Sequence, residues 1–417
     1  MRITFFGSIW IVITVFLFFS RDIKNIIAFA LYSMIFQCNN ILFIGATGIG
    51  VQIFVVTFTV IKILMFKLSS EMISIPKILH HRKSHYEITA RPFWFLFLIV
   101  LLSVALNDVL RQTAIALVMI FVYILFAALL ITYEFYFDES WLTNLENTIT
   151  ITLIFVGFLQ CLAKLGVFSL TSILRILIYN DINNPNVIFN YKGVKQFYST
   201  LMEPSYCGAL LVGLFTLYIL KERVTVKNIL YLFFITICIL LTQSSTAYLG
   251  LVVIVLVLCV TKGQKKFFKF CLPLGILFAL FFCLTSTSVL KKVIFDKAAT
   301  GSYRVRAVLN RRAIENFISS PLYGVGYRCS RASSLLVTLL GELGILGAVS
   351  YFSLFIYYLR FYRNTVNVMA RRHSLCVAGI IICQLIACPD LNFSPFWLAV
   401  YLQILAWKLE KKYIARQ

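Results

Sequence analysis

Apolar runs of roughly bilayer length follow one another along the whole chain, with no gap between them wide enough for a soluble domain. A hydrocarbon core takes about 20 mostly apolar residues per helix, so this spacing dictates a chain threaded repeatedly through a membrane. Candidate spans fall at Ile3 to Ser20, Ile26 to Ile44, Ala46 to Phe66, Phe93 to Leu106, Ala114 to Tyr133, Ile149 to Leu165 and Ser205 to Leu220. They continue at Asn228 to Thr242, Ala247 to Val260, Phe270 to Ser286, Leu335 to Leu359, Leu375 to Cys388 and Phe396 to Trp407. The expected fold is an all-α polytopic membrane protein of about 12–13 helices, forming one integral domain over residues 1–417. A mean hydropathy of +0.91, with 61% hydrophobic and only 13% charged residues, excludes a soluble fold that must cover itself with charge.

The first run is followed directly by Arg21-Asp-Ile-Lys24 rather than by a small-residue cleavage pattern, and reads as a retained helix. The eleven cysteines lie mostly inside apolar runs without paired spacing, as small buried hydrophobes would. Neither a zinc site nor a disulfide framework is indicated. His80-His-Arg-Lys-Ser-His85 offers three imidazoles, but not at helix-face spacing with a carboxylate, and its basic neighbours disfavour a cation.

Lysine and arginine are retained in excess on the cytoplasmic side. Four clusters fall on one face when the spans alternate: Lys221, Arg223 and Lys227; Lys262, Lys265, Lys266 and Lys269; Arg360, Arg363, Arg371 and Arg372; and Lys408, Lys411, Lys412 and Arg416. All four histidines, His373 included, and Glu146 are then expected in cytoplasmic loops. Residues 179–204 and 287–334 are expected outside, together with the short segment Pro389 to Pro395.

Two features of that outer face stand out. In Met202-Glu-Pro-Ser-Tyr-Cys-Gly208, Pro204 suits the first turn of a helix and places Glu203 at its N-terminal end. The helix dipole favours a negative charge there, so a structural cap explains Glu203 as well as a chemical role does. The second feature is charge: Lys291, Lys292, Lys297, Arg304, Arg306, Arg311, Arg312, Arg328 and Arg331 share 287–334 with only Asp296 and Glu315. Arginine at this density beside a membrane suits a phosphate-bearing ligand, because the guanidinium fork binds phosphate oxygens in bidentate geometry. Resting on anionic headgroups is the plainer explanation. Within the segment, Arg306 to Phe317 reads as a short amphipathic helix, and Gly324-Val-Gly326 as a turn. Glu342, alone in an apolar helix, is expected to pair with an arginine of this loop.

Three ordered motifs carry a resemblance to a known family. They are Met202-Glu-Pro-Ser-Tyr-Cys-Gly-Ala209, the Ser-rich hairpin Leu241-Thr-Gln-Ser-Ser-Thr-Ala-Tyr-Leu-Gly250, and Ser302-Tyr-Arg304 running through Pro321-Leu-Tyr-Gly-Val-Gly326 to Gly341-Glu-Leu-Gly-Ile-Leu-Gly347. Together they span residues 190 to 350 and resemble the Wzy-type O-antigen polymerases and, more distantly, the O-antigen ligases. The resemblance implies a C-type membrane glycosyltransferase acting on undecaprenyl-diphosphate-linked oligosaccharide at the outer face of the bacterial inner membrane. It implies no cofactor and no metal. Besides the lipid-linked substrate and membrane lipid, a chain-length regulator and a flippase are the implied partners, and nucleic acid is not one.

On this resemblance Glu203 is the base or acceptor orienter, and Arg304 its catalytic cation. Arg306, Arg311, Arg312 and Arg328 are the electrostatic contacts to the diphosphate, and Lys195, Ser244, Ser245 and Tyr206 complete the substrate-binding set. The chain departs from the family in two places. Where ligases carry a histidine before a late helix, this sequence has Ser333 and Ser334, which favours polymerase; and the nearest cations before Glu203 are Lys195 and Lys192 rather than an arginine. A lipid or polysaccharide transporter is the rival from another class. It predicts ionisable groups along a central path and broken helices in symmetric halves.

Overall fold

A computed structural model describes residues 2–44, 47–71, 88–164, 174, 197–221, 225–260, 301–365 and 367–414. The expected span Phe270 to Ser286, the first part of the basic loop, His80, His81, His85 and Lys195 lie outside the described residues.

The chain is mostly helical. Its elements in order are β1 (Arg2–Ile3), α1 (Phe5–Phe19), α2 (Ile23–Ser33), β2 (Asn40–Ile44), β3 (Thr47–Gly50), α3 (Val51–Glu71), α4 (Arg91–Leu106), α5 (Leu110–Thr132) and α6 (Glu139–Lys164). There follow α7 (Pro204–Ile219), α8 (Val226–Leu241), α9 (Ser245–Val260), α10 (Gly301–Ser319), α11 (Leu335–Asn364), α12 (Val368–Ala387) and α13 (Ser394–Ile414). Among the described residues five helices, α3, α5, α6, α11 and α12, are long and apolar enough to cross a membrane, and six shorter ones are apolar. Phe5, Phe16 and Phe19 of α1 stand more than two-thirds exposed, as side chains facing lipid rather than water would.

The second apolar run is not one helix. It stops at Ser33, and after the polar stretch Gln37 to Asn40 the chain forms β2, which pairs antiparallel with both β1 and β3. The all-helical expectation therefore gains a small three-stranded sheet, whose ladder satisfies backbone groups that a broken span would leave open. Thr4 ties the sheet to α1: its hydroxyl accepts the Gly7 N–H at 2.8 Å and lies 2.8 Å from the Asn40 carbonyl.

At the centre, α12 packs against α7, α11, α13 and α9. Helix α13 is buried on all sides from Ser394 to Trp407, which explains its unbroken apolar composition. Two of its polar side chains bond to neighbouring helices: Tyr401 Oη donates to the Tyr123 carbonyl, and Gln403 Nε2 to Ser374 Oγ at 2.6 Å. Helices α7 and α12 run antiparallel, so the start of one meets the end of the other at each end of the molecule, and polar groups gather at both ends.

Helix α11 is broken. Gly344 takes φ 65°, ψ −162° in mid-span, and the freed backbone is met by the segment before the helix. Val325 and Gly326 donate to the carbonyls of Gly341 and Glu342, and Ile345 and Leu346 donate to those of Pro321 and Leu322. Four hydrogen bonds thus splice 321–326 into the break like a paired strand. Glycine is required at the contact, because a Cβ on Gly324, itself at φ 67°, would lie 2.3 Å from the Glu342 carbonyl carbon. Ser103 of α4 and Asn107 at its C-cap close the far side, Ser103 Oγ lying 2.8 Å from both the Tyr323 and Glu342 carbonyl oxygens.

Candidate functional site

Glu203 occupies the N-cap position of α7 with extended backbone (φ −140°, ψ 153°), and Pro204 opens the helix. Its carboxylate makes no capping hydrogen bond. The side chain is exposed, and Ser205 Oγ donates to Oε2 at a long 3.3 Å. A cap that does not cap leaves the acid available to something else.

The neighbouring wall comes from the end of α12. Cys388 Sγ donates to the Ser205 carbonyl at 3.6 Å, and Tyr206 meets Phe393 edge to face with centroids 4.9 Å apart. These contacts bring the α12–α13 loop beside Glu203, and with it Asp390. The loop is stiffly held: Asp390 N–H donates to the Cys388 carbonyl, Gln384 Nε2 donates to the Asp390 carbonyl, and the Asn392 N–H donates to Asp390 Oδ1 at 2.9 Å.

The third wall is the segment after the spliced strand. Arg328 sits in the left-handed region at φ 60°, which turns the chain so that its own N–H and that of Ser330 donate to the buried Glu342 carboxylate. Glu342 thus pairs with Arg328 as the sequence suggests, but through the backbone amide as well as through charge. The guanidinium of Arg328 feels Asp390, Glu342, Tyr206 and Tyr327. Arg331 acts on Tyr206, Arg306 acts on Cys388, and the charge of Glu203 reaches both Tyr206 and Cys388. Burial, with Asp390 and Glu342 adding to it, pushes the Tyr327 hydroxyl well above the ordinary phenol range, so that it stays neutral.

The predicted residues divide accordingly. Glu203, Tyr206, Arg306 and Arg328 are linked by charge, Glu203 and Arg306 both acting on Cys388 and Arg328 on Tyr206. Arg306 lies on the inner face of α10 with Asn310, whose Oδ1 accepts from Ser333 N–H and Oγ, and with Ala313, which is buried. Arg304 and Arg311, one heptad apart, share the opposite, exposed face, where Arg311 pairs with Glu315 at 2.8 Å. Arg312 is exposed as well. The helix runs from Gly301 to Ser319, longer than the sequence pattern suggests. Ser244 is buried at the start of α9, where its Oγ accepts from Ala247 N–H at 3.5 Å; Ser245 is half-buried as the first residue of that helix. Their hairpin packs on α7 at Gly208, where an added Cβ would come 2.5 Å from Ala247.

Asp390 and Arg331 are the residues that sequence reasoning did not single out for the site. Asp390 carried a legible signal, being the one carboxylate between residues 343 and 409.

The opposite end of the same helices holds a second cluster. Glu146, fully buried in α6, accepts at Oε1 from Arg372 Nη2 at 3.0 Å and faces His373 Nε2 at 2.9 Å. Arg372 Nη1 donates to the Leu217 carbonyl at the end of α7, and His373 Nδ1 lies 2.7 Å from the Met369 carbonyl. Glu146, Arg372 and His373 are therefore not loop residues. They sit inside packed helices, because each finds a partner there that water would otherwise supply. Lys408 is likewise buried, bonded to the Tyr133 carbonyl. Lys221 covers the Tyr218 ring at 4.4 Å, and burial, reinforced by Arg372, pulls its ammonium down to about 8.

Fold and sites together define a helical membrane protein with two polar poles, one open and one sealed. No protein-family model matches the chain, and a search among curated proteins finds no match.

Proposed function

We propose that this protein is a polysaccharide polymerase of the bacterial inner membrane, extending O-antigen or a related surface glycan on undecaprenyl diphosphate. The observation that carries this reading is an uncapped, exposed carboxylate, Glu203, whose charge acts on the same two neighbours, Tyr206 and Cys388, as those of Arg331 and Arg306, with Arg328 acting on Tyr206 as well.

The chemistry divides between them. A hydroxyl oxygen of the acceptor repeat attacks the anomeric carbon of the growing glycan, and the bond from that carbon to the diphosphate oxygen breaks. Glu203 takes the hydroxyl proton, and the electron pair leaves with the lipid diphosphate. Arg306, Arg328 and Arg331 stabilise the charge that develops there. Arg304, on the far face of α10, is not assigned to this step. The site faces the outside, where the lipid-linked repeat is delivered by a flippase and where a chain-length regulator acts.

Two observations favour this over its rivals. His373, the one histidine among the described residues, belongs to the sealed pole, so among those residues no imidazole of the kind expected of a ligase stands by Glu203. The break in α11 is filled by the protein's own 321–326 backbone instead of being left open to coordinate a transported ion.

The test is a gel of surface glycan from a strain lacking the gene, with lipid-linked intermediates extracted in parallel. Collapse of the ladder to a single repeat supports the polymerase. Long polymer retained on undecaprenyl diphosphate with bare lipid core makes it a ligase instead.

A further inference from the structure

The transfer step leaves Arg304 and Arg311 unused, and the fold fixes closely where α10 carries them. Asn310 Oδ1 accepts from the Ser333 N–H at 2.8 Å, and an added Cβ on Gly341 would come 3.0 Å from the Ala313 carbonyl oxygen. Farther along, the Ile345 N–H donates to the Pro321 carbonyl at 2.8 Å, and the Leu346 N–H to that of Leu322 at 3.3 Å. Both series of numbers rise together, so α10 runs beside the first half of α11 in the same direction.

Helix α11 is long and apolar enough to cross a membrane, its apolar stretch opening at Leu335. The rise from Leu335 to Leu346 is about 16 Å, half of a hydrocarbon core about 30 Å thick. That depth brings Leu322 near the bilayer midplane, and the chain from there to Ser334 climbs back to the surface. Non-helical backbone is tolerated at such depth because the break in α11 satisfies it.

One stripe of α10 faces away from α11. Arg304, Ala307, Arg311, Ile314 and Ile318 follow at spacings of three and four, which keeps them on one line along a helix, and Leu322 extends the line past its end. All six are exposed, Ile318 at 71% and Leu322 at 59%. The stripe is graded by depth. Arg304 stands above the level of Asn310, which Ser333 holds just outside the apolar stretch, and Arg311 reaches back toward that level along its own stem. The isoleucines and Leu322 lie below. Glu315 pairs with Arg311 at 2.8 Å, but both side chains are more than half exposed, and such a pair is weak enough to give way to a phosphate.

Cations at the top of a stripe and apolar side chains beneath them match a lipid with an anionic headgroup, standing upright in its leaflet. We propose that this stripe docks anionic phospholipid of the surrounding bilayer, its phosphate on Arg304 and Arg311 and its acyl chain along Ile314, Ile318 and Leu322. Arg306 is on the opposite, inner face of α10, so the docked phospholipid and the lipid diphosphate are kept to different sides of one helix. Docking of this kind requires nothing of the polymerase reading.

The test places benzoylphenylalanine at Ile318 of the full-length protein, in nanodiscs of phosphatidylcholine with a minor share of phosphatidylglycerol and no lipid-linked repeat. Irradiation and intact-mass analysis should show phospholipid adducts, with phosphatidylglycerol at about three to five times its share of the bilayer. Changing Arg304→Gln and Arg311→Gln together should return that share to the bilayer's own, while total lipid adduct stays within about twofold. Raised salt should lower the enrichment in the protein that keeps both arginines, which reads the same attraction without a substitution. Crosslinks to protein in place of lipid, from this chain or a second copy, would overturn the proposal, and so would lipid adducts at the bilayer's own proportion. Enrichment of anionic lipid only after lipid-linked repeats are added would give the stripe to the substrate instead and overturn it too. A glycan ladder unaffected by loss of the gene would sink the polymerase and leave the crosslinks as they are.

Discussion

The two poles are built from the same helices and the same kinds of side chain, and they handle charge in opposite ways. At the sealed pole Glu146, Arg372 and His373 are each under 5% exposed, and both cations lie 2.9–3.0 Å from the one oxygen Glu146 Oε1. At the open pole Glu203 declines its cap and stands exposed, as does Arg328. Paired buried charge fixes how helices sit, whereas exposed charge that is not spent on the fold stays available to a ligand. The difference separates what holds this molecule together from what it acts with.

Breaking the sealed pole should have the largest effect. Arg372→Ala strands the Glu146 carboxylate in the interior at a cost of about 3–5 kcal/mol. The expected result is loss of folded protein on fluorescence-detected size-exclusion chromatography, and normal yield would reclassify the triad as surplus to the fold. At the open pole the opposite signature is expected. Glu203→Gln should fold and melt as the parent does while reducing glycan polymerisation about 100-fold or more, read as loss of the ladder above one repeat.

The two faces of α10 sharpen the comparison further. Arg306→Gln should reduce polymerisation about tenfold and Arg304→Gln less than about twofold. Equal losses would mean that the outer face of the helix also meets substrate. The smallest effect concerns Cys329, the exposed free cysteine among the described residues. Burial and the Glu342 charge raise its thiol above the ordinary range, so less thiolate is present at neutral pH and maleimide labelling should keep rising at pH values where a free thiol has levelled off. An impermeant maleimide should reach it from outside in spheroplasts, with Cys329→Ser identifying the signal. Labelling only after permeabilisation would invert the orientation.

Much of this was legible in the chain. Periodic apolar runs announce helices because a bilayer tolerates little else, and α4, α5, α7, α8 and α9 begin and end within a few residues of their runs. The run at Ile26 to Ile44 misled because hydropathy is indifferent to Gln37 to Asn40, where the backbone leaves the helix. Positive charge misled in another way. Arg372 and Lys408 look like cytoplasmic markers, but each is buried against an acceptor that lies far off in sequence. For the site, Glu203 was visible from Pro204 alone. Which arginines join it was not, since Arg304 and Arg306 differ only by a rotation of about 200° on a helix. Asp390 comes into view once α12 and α7 are known to be antiparallel neighbours.

The splice at α11 bears on how such a protein can be altered. Residues 321–326 supply the amides and carbonyls that the helix gives up around Gly344, so neither stretch can gain or lose a residue without putting those four hydrogen bonds out of register in an apolar setting. A chimaera that exchanges outer loops would have to transplant 321–347 as one cassette. The segment bearing Arg328 would otherwise be out of register with the helix it completes.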